Sequence, residues 1–508
     1  MYQMKCSQIT RIMMGYCFVF MAQQLQAQSI EIDSLFNSEV QQFAFNGNVL
    51  VTEKGKIIYD HSFGYADVEG SRLVNENSGF HLASVSKTIT STAILQLKDK
   101  GKLRLEDAVI KYLPDFPYPA ITIRHLLSHT SGLPDFQIFE APHRKDTGKI
   151  FSNEDLIPAL KGYDRSMPAP GEKWSYSNTG YALLALIVER ISGMAFPAYL
   201  EKYIFKPAGM RHTYVQTSLL PVNDTSRTIN YDFPSYDPSR LKRVSSMPQL
   251  RIPSVILGSI YGPGNVVSNT SDLLRFDEAL YNGKLLKPAT LEDAFTPAKL
   301  NNGEKAAMGW GNSVSWYGLG WQILQDSSMG KVVWHTGGAP GMVTVFMRNL
   351  TRRQAVIVLD NVTHRKVHAD GMNTLYLLNK KQLPSPGKSS LASVYIKALL
   401  KGDAEHAITV FNELKSDTAH YYLDEMEMNI RGLELFFDGQ QQAGVEVLRL
   451  NTLLFPQSWN VYDSYAEVLS LTGKKEDAMI MYRKSIRMNP DNKGGKEALE
   501  KIIAAGSK

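Results

Sequence analysis

Apolar and polar positions alternate at both ends of the region that runs from residue 30 to residue 380. Near its start, residues 48–65 alternate as strands do, around a turn-forming sequence at 53–56. Near its end, strand patterns occur at 318–324, 331–335, 342–349 and 354–361, and a helical segment at 370–379 follows. Short strands joined by tight turns imply an antiparallel sheet.

The spacing of apolar residues becomes helical between these two groups of strands. Ile89, Ala93, Ile94 and Leu97 predict a helix over residues 84–100. The stretch from 104 to 300 is mostly helical and loop-forming, with clusters of Pro and Gly. We therefore predict an α+β fold for residues 28–380, in which an antiparallel β-sheet is flanked by helices and an all-helical subdomain is inserted.

A second, α-helical domain is predicted at residues 396–508, after a Pro- and Gly-containing linker at 381–395. The segment that starts at Trp459 places its small and aromatic residues at the spacing of a tetratricopeptide repeat, which is about 34 residues long. The preceding segment, from Glu425, matches in part, and an unrelated helical hairpin is the alternative. Repeat helices of this kind present binding surfaces, so a protein partner is expected for this domain.

The first 27 residues have the pattern of a secretory signal peptide. A basic start with Lys5 and Arg11 precedes an apolar run at 12–22, and a polar stretch ends at Ala27. A membrane anchor is the alternative, but a bilayer needs about 20 apolar residues and this run is shorter. We expect cleavage after Ala27, a mature chain with no transmembrane anchor, and a periplasmic or secreted location.

Cysteine and charge content exclude several classes of function. The chain's two cysteines, Cys6 and Cys17, both fall in the predicted signal peptide, so no disulfide, thiol nucleophile or thiolate metal site is expected. The net charge of +5 becomes +3 without Lys5 and Arg11 (5 − 2), and no long Lys/Arg run suggests nucleic acid as a partner. No metal or cofactor is expected, since the chain also lacks a His-Glu-x-x-His pair.

Four Ser-x-x-Lys pairs occur, and their context separates them. They are Ser84–Lys87, Ser239–Lys242, Ser328–Lys331 and Ser385–Lys388. A working pair needs both side chains on one face of a helix, which the spacing provides only inside a helix. The last three span or follow Gly or Pro in turns and loops. Only Ser84–Lys87 opens a strongly periodic helix.

The start of a helix suits nucleophilic chemistry at Ser84. Its first N–H groups have no internal partner and the dipole is positive there, so the Ser84 N–H can stabilise an oxyanion. Lys87, one turn later, can accept the Ser84 proton if burial lowers its pKa. The alternative is a helix-capping serine beside a solvated lysine, because serine is a favoured N-cap.

Two further segments offer polar groups in the right order along the chain. Tyr176-Ser177-Asn178 follows a turn and precedes a helix; its phenol can relay a proton and its amide can orient a carbonyl or Lys87. His335-Thr336-Gly337-Gly338 is placed at the end of a strand, where its glycines would admit a substrate and an exposed N–H would complete an oxyanion hole. The alternatives are a packed loop tyrosine and an ordinary turn with an incidental histidine.

The ordered motifs resemble the signature of class C β-lactamases, low-molecular-weight penicillin-binding proteins, D-aminopeptidases and related esterases. Further segments that are similar to this family lie at 123–133, 264–273 and 317–321. The resemblance implies a serine hydrolase with Ser84 as nucleophile, Lys87 as base and Tyr176 in the proton relay. It also implies that Asn178 orients substrate and that Ser84 and Gly338 supply the oxyanion-hole N–H groups; His129 is interpreted as structural.

One departure from the family pattern bears on the substrate. β-Lactamases of this kind have Lys-Thr-Gly as their third motif, and here His335 replaces the lysine. A histidine that faces the pocket is expected to titrate at about pH 6–7 and to be near neutral at pH 7. We therefore expect an ester or a D-amino-acid-type amide or peptide as substrate. The alternatives are a true β-lactamase or DD-carboxypeptidase, and a partner-binding protein whose hydrolase fold is a bystander.

Overall fold

The computed structural model describes residues 28–40, 45–219, 224–234, 237, 240–308, 315–363, 366–384 and 388–506. The predicted signal peptide therefore lies outside the described residues. Two compact units are present. The first holds the residues up to Asp232 together with Lys242–Leu383, and the second holds Phe233–Leu241 and Pro384–Lys508.

The first unit is built on an antiparallel sheet of eight strands, and its other strands form smaller sheets of two or three short strands. In chain order the strands of this unit are β1 Gly47–Glu53, β2 Lys56–Phe63, β3 Tyr65–Asp67, β4 Arg72–Leu73, β5 Phe80–His81, β6 Tyr214–Val215, β7 Tyr231–Asp232, β8 Lys242–Arg243, β9 Val266–Ser268, β10 Ala307–Met308, β11 Ser315–Tyr317, β12 Gln322–Asp326, β13 Gly330–Ala339, β14 Met342–Asn349 and β15 Gln354–Asp360. The central sheet has the order β10-β11-β12-β13-β14-β15-β1-β2, so strands from the two ends of the domain meet where β15 pairs with β1. The antiparallel sheet predicted from the sequence is confirmed.

The β1–β2 hairpin forms where the sequence predicts it. Lys54 and Gly55 at its tip have φ angles of 51° and 76°, both in the left-handed region. Two-residue hairpin turns favour this geometry because it matches the twist of the flanking strands, and glycine adopts it without steric cost.

Helices cover both faces of the sheet. They are α1 at 28–40, α2 Ser86–Asp99, α3 Ile123–Leu127, α4 Glu140–Lys145, α5 Leu156–Lys161, α6 Asn178–Ser192, α7 Phe196–Leu200, α8 Lys206–Ala208, α9 Thr270–Tyr281, α10 Pro288–Ala294 and α11 Lys366–Leu378. Alternate residues of β15 serve the two faces: Ile357 and Leu359 join the core that includes α2 and α6, whereas Val356 and Val358 join the core that includes α1 and α11. Burial on both faces explains why β15 has a continuous apolar run.

Two strand predictions differ from the structure. The strand predicted at 318–324 is interrupted, because Gly318–Trp321 forms the turn between β11 and β12. Gly320 has φ of 87°, and a Cβ on it would lie 2.5 Å from the Cβ of Ser91, so tertiary packing fixes the turn there. The second difference is that β13 continues to Ala339, which places His335-Thr336-Gly337-Gly338 inside a paired strand.

The second unit is helical, as predicted. Its helices are α12 Leu391–Lys401, α13 Ala404–Leu414, α14 Glu425–Phe437, α15 Gln441–Leu454, α16 Trp459–Leu471, α17 Lys475–Met488 and α18 Lys493–Gly506. The starts of α14, α16 and α18 are 34 residues apart (459 − 425 and 493 − 459), as are those of α15 and α17 (475 − 441). Gly439 and Gly473, also 34 residues apart (473 − 439), both have positive φ after a helix. This periodicity supports the tetratricopeptide interpretation, which stays a prediction.

The boundary between the units differs in detail from the predicted linker at 381–395. Helix α12 begins at Leu391, inside that segment, with the Ser390 side chain accepting a hydrogen bond from the Ser393 N–H. Residues 385–387 lie outside the described residues. The loop Phe233–Leu241 belongs to the second unit, where Arg240 pairs with Asp438 at 2.9 Å.

By length and composition, no single helix among the described residues could cross a membrane. The one combination that passes the same test joins Asn178–Ser192 to Phe196–Ala208 across a bend of 74°.

A buried ion pair ties helix α9 to the sheet, and its removal tests how the helical layer is held. Arg348 on β14 pairs with Asp277 on α9, and their side chains are only 1% and 7% exposed. Asp277→Asn should lower the free energy of unfolding by about 3–5 kcal/mol, because it leaves the guanidinium charge buried and unpaired. Urea unfolding followed by circular dichroism measures this loss.

The matched control is Asp115→Asn in the exposed Lys161–Asp115 pair, where the side chains are 51% and 82% exposed. That change should cost no more than about 1 kcal/mol. Equal losses for the two variants would show that the Asp277–Arg348 pair does not hold α9 to the sheet.

Candidate active site

Ser84 and Lys87 lie at the start of a continuous helical segment in the first unit. Ser84 sits in a short 3-10 turn, Ala83–Val85, which runs directly into α2, so the regular helix starts two residues later than predicted. Ser84 is partly exposed, whereas Lys87 is fully buried. The Lys87 Nζ is 3.0 Å from the Ser84 Oγ, so the predicted pair is in hydrogen-bond contact.

Lys87 also contacts two oxygen atoms that can only accept hydrogen bonds. Its Nζ donates to the Asn178 Oδ1 at 2.7 Å and to the Pro263 carbonyl at 2.9 Å. A neutral amine has two N–H bonds and one lone pair. When Lys87 is neutral, the two acceptors engage both N–H bonds, so the lone pair is directed at the Ser84 hydroxyl. This geometry suits removal of the Ser84 proton.

Burial brings the Lys87 amine close to neutrality at physiological pH. Loss of hydration lowers the pKa of Lys87 to about 7, and the nearby carboxylate of Asp135 opposes part of that shift. The rings of Tyr176 and Tyr181 lie 4.8 Å and 5.5 Å from Nζ and keep water from this side of the amine. A lysine with a pKa near the working pH can serve as a general base.

Tyr176 stays protonated beside the nucleophile. Its hydroxyl donates to the Ser84 Oγ at 2.8 Å. Burial raises the pKa of Tyr176 well above its usual value, so the phenol keeps its proton while the site is at rest. The ring packs 4.3 Å from His129, which is itself held by a hydrogen bond from the Ser177 N–H to its Nδ1 at 3.2 Å. The interpretation of His129 as a structural residue agrees with this buried position.

The third motif reaches the Ser84 turn because Gly337 lacks a side chain. A Cβ on Gly337 would lie 2.3 Å from the Leu82 carbonyl oxygen and 2.2 Å from the Thr344 Oγ1. Strand β13 therefore packs directly against the residues before Ser84, and the neighbouring Gly338 is exposed there. The Ser84 and Gly338 N–H groups remain our prediction for the oxyanion hole.

His335 does not behave as the sequence suggests. Its ring is 1% exposed; Nδ1 lies 2.7 Å from the Thr336 carbonyl and Nε2 lies 3.0 Å from the Tyr317 hydroxyl. Since a carbonyl only accepts, Nδ1 carries the proton and Nε2 accepts from Tyr317. Burial lowers the pKa of His335 to about 3, so the expected titration at pH 6–7 is wrong. The ring is a neutral, internally bonded part of the wall.

The pair Ser328–Lys331 is directed elsewhere. The Ser328 hydroxyl donates to Asp326 at 2.6 Å, and Lys331 donates to Glu292 at 2.9 Å. Ser239 and Ser385, from the other two pairs, lie outside the described residues. The structure thus brings Ser84, Lys87, Tyr176 and Asn178 together in one hydrogen-bonded group.

Three contributors were missed by sequence reasoning. Pro263 acts through a backbone carbonyl, which no side-chain motif encodes. Tyr317 lies in a segment noted for its family resemblance, but its bond to His335 depends on the pairing of β11, β12 and β13. Asp135 follows the noted segment 123–133 by two residues and contacts Asn178, which only tertiary structure reveals.

Comparison with known proteins shows the family to which the chain is related. The profile described as Beta-lactamase matches residues 32–379. Penicillin-binding protein 4* of Bacillus subtilis is 40% identical over 341 residues, which cover 65% of this chain and 71% of that protein. The putative penicillin-binding protein PbpX of the same organism is 30% identical, covering 70% of this chain and 81% of its own length.

Solved structures show the same fold. A penicillin-binding protein from Bacillus halodurans aligns with a TM-score of 0.56 and 25% identity, over 67% of this chain and 98% of that one. A D-amino acid amidase from Ochrobactrum anthropi SV3 aligns with a TM-score of 0.58 and 22% identity, over 70% and 99% of the two chains. Because the family profile matches more than half of the chain and a relative is 40% identical, this protein belongs to the β-lactamase family.

Proposed function

We propose that this protein is a serine hydrolase that cleaves an ester or a D-amino-acid-type amide or peptide through an acyl-Ser84 intermediate. The observation that carries the proposal is the buried Lys87 amine, 3.0 Å from the Ser84 Oγ, with both of its N–H bonds engaged by fixed acceptors when it is neutral. Membership of the β-lactamase family supports a hydrolase.

In the proposed acylation, neutral Lys87 takes the Ser84 proton while the Oγ attacks the substrate carbonyl. The oxyanion that forms is stabilised by the predicted N–H groups of Ser84 and Gly338. Collapse of the tetrahedral intermediate breaks the bond to the leaving group, which receives a proton from the Tyr176 hydroxyl. Protonated Lys87 returns a proton to Tyr176, since the Lys87 Nζ and the Tyr176 hydroxyl both lie against the Ser84 Oγ. Water then attacks the acyl carbon and releases the acid and free Ser84.

The neutral wall at His335 supports an uncharged ester or amide as substrate. A lysine at this position would supply a fixed cation for a substrate carboxylate, and the buried His335 supplies none. The 40% identity to a penicillin-binding protein favours a second candidate, a DD-carboxypeptidase or β-lactamase. The two candidates share the acyl-Ser84 step and differ in the acyl donor.

Export and a partner-binding role for the second unit are parts of the same proposal. The basic and apolar pattern of residues 1–27 supports a signal peptide and a periplasmic or secreted location. The 34-residue periodicity of helix starts in the second unit supports a repeat surface that binds a protein partner (459 − 425 = 34).

Ser84→Ala should abolish turnover and fluorophosphonate labelling while the chain stays folded. Loss of the nucleophile should cost roughly 10³-fold or more in kcat. The assay panel is p-nitrophenyl esters, D-amino-acid p-nitroanilides and nitrocefin, on one preparation. Ser328→Ala is the matched control and should label as the wild type does; loss of labelling there, with Ser84→Ala still reactive, would refute the assignment of Ser84.

The rate of Ser84 acylation should rise with pH through a midpoint at about 7. Lys87 acts only as the neutral amine, and its neutral fraction grows as pH increases past its lowered pKa. His335 should add no second step between pH 5 and 8, because its pKa is about 3. The measurement is kcat/KM on a p-nitrophenyl ester against pH; a midpoint near the ordinary lysine value, or a step that His335→Asn removes, would contradict this reading.

Removal of residues 384–508 should leave hydrolysis of small esters intact. Each catalytic side chain named here lies before residue 384, in the first unit. Limited proteolysis and ester assays together check this, and a folded but unreactive shortened chain would show that the second unit is needed for catalysis.

A further inference from the structure

A carboxylate lies on the side of Asn178 that faces away from Lys87. The Asp135 Oδ1 accepts from the Asn178 backbone N–H at 2.8 Å, and its Oδ2 accepts from the Asn178 Nδ2 at 3.0 Å. Asn178 is the first residue of α6, so one carboxylate binds both an unpaired N–H at the helix start and the side-chain amide.

Asp135 is held in place by its neighbours. The Ser177 hydroxyl donates to the Pro134 carbonyl at 3.0 Å, and the Ser177 N–H donates to the His129 Nδ1 at 3.2 Å. Ser177, next to Asn178 in the chain, is therefore bonded to the segment that leads to Asp135. A shift of that segment would break these two hydrogen bonds.

This contact dictates which end of the Asn178 amide faces Lys87. An ionised carboxylate only accepts hydrogen bonds, so the amide nitrogen must face Asp135 and the amide oxygen must face Lys87. With the amide reversed, its NH₂ would meet the Lys87 amine. The neutral lysine would then accept from Asn178 with the lone pair that Ser84 needs, and two donors would oppose each other when lysine is protonated.

We propose that Asp135 is a positioning residue that fixes the orientation of the Asn178 amide, so that the lone pair of neutral Lys87 is directed at Ser84. Asp135 does not touch the reacting atoms and acts through Asn178. The inference deepens the proposed function and rests on it, because it assumes that Lys87 is the base for Ser84.

The negative charge of Asp135 also affects the pKa of Lys87. It raises the pKa of Lys87 against the larger effect of burial. The other titratable groups that face this amine carry no charge near pH 7. The phenols of Tyr176 and Tyr181 keep their protons, and burial lowers the pKa values of the imidazoles of His129 and His335. Removal of the Asp135 charge should therefore lower the pKa of Lys87.

The test is Asp135→Asn in the full-length protein. An asparagine at position 135 has one acceptor oxygen, whereas the Asp135 carboxylate has two, one for the Asn178 backbone N–H and one for the Asn178 Nδ2. Its NH₂ group could instead donate to the Asn178 Oδ1, so the Asn178 amide is free to reverse. We expect kcat/KM on a p-nitrophenyl ester, and the rate of fluorophosphonate labelling, to fall by roughly 10–100-fold, the size of effect that misplacement of a catalytic group produces. The loss should be in kcat rather than KM, and the midpoint of the pH–rate profile should move to lower pH.

Two variants separate positioning from general stability. Asp155→Asn makes the same change at a carboxylate outside the site, which accepts from the Ser152 N–H at 2.9 Å, and should leave both the rate and the midpoint unchanged. Asp135→Glu keeps the charge and should keep the midpoint near the wild-type value, with part of the rate restored. If Asp135→Asn does not fold, Asp135→Ser carries the same test, since it removes the charge and keeps one acceptor.

A folded Asp135→Asn protein with the wild-type rate and pH midpoint would overturn the proposal. So would a loss of rate that follows only a loss of folded protein, with the midpoint unmoved. A wild-type protein that neither labels nor hydrolyses any ester would instead overturn the proposed function, and Asp135 would lose its role with it. Wild-type reactivity is therefore measured first.

Discussion

The candidate site depends on the buried amine of Lys87, which forms no ion pair with any carboxylate among the residues that the structure describes. Removing the Lys87 amine from water lowers its pKa to about 7, because desolvation penalises the charged form. The amine is tolerated because its three polar contacts, to Ser84, Asn178 and Pro263, replace the lost water. The same three contacts direct its lone pair when it is neutral. Burial thus lowers the pKa of Lys87, and its hydrogen bonds direct its lone pair at Ser84, as the proposed role of general base requires.

Several distant parts of the chain supply this environment. Lys87 and Ser84 come from the start of α2, Asn178 from the start of α6, and Pro263 from a loop before β9. Strand β13 packs against the turn that contains Ser84, because Gly337 has no side chain to separate them. The central sheet and the helices on it hold these segments in register. The packed core therefore keeps the three polar contacts of Lys87 at hydrogen-bond distance.

His335 stands where the resemblance to class C β-lactamases leads us to expect a lysine, and it forms a neutral part of the wall. The imidazole is neutral, and both of its nitrogens bond within the protein, to Thr336 and Tyr317. The His335 side chain therefore packs within the sheet and links β13 to Tyr317 on β11. It carries no positive charge near pH 7. The hydrogen-bonded group of Ser84, Lys87, Tyr176 and Asn178 is present beside this neutral wall, and the proposed preference for an uncharged substrate rests on that combination.

The sequence alone determined the fold class, the hairpin at Lys54–Gly55 and the residues of the Ser84, Tyr176 and His335 motifs, because these depend on local periodicity, turn chemistry and ordered spacing. The choice of Ser84–Lys87 among four pairs also followed from local sequence context, and in the structure Ser84 lies in a 3-10 turn that leads into α2. Tertiary structure decided what spacing cannot encode: the burial that shifts the pKa of Lys87 and of His335, the turn at Gly318–Trp321 whose Gly320 packs against Ser91, and the Asp135–Asn178 contact across 43 positions. Desolvation and hydrogen-bond direction arise only when distant segments pack together, so the candidate site residues could be named from the chain, whereas the shifts in their pKa values could not.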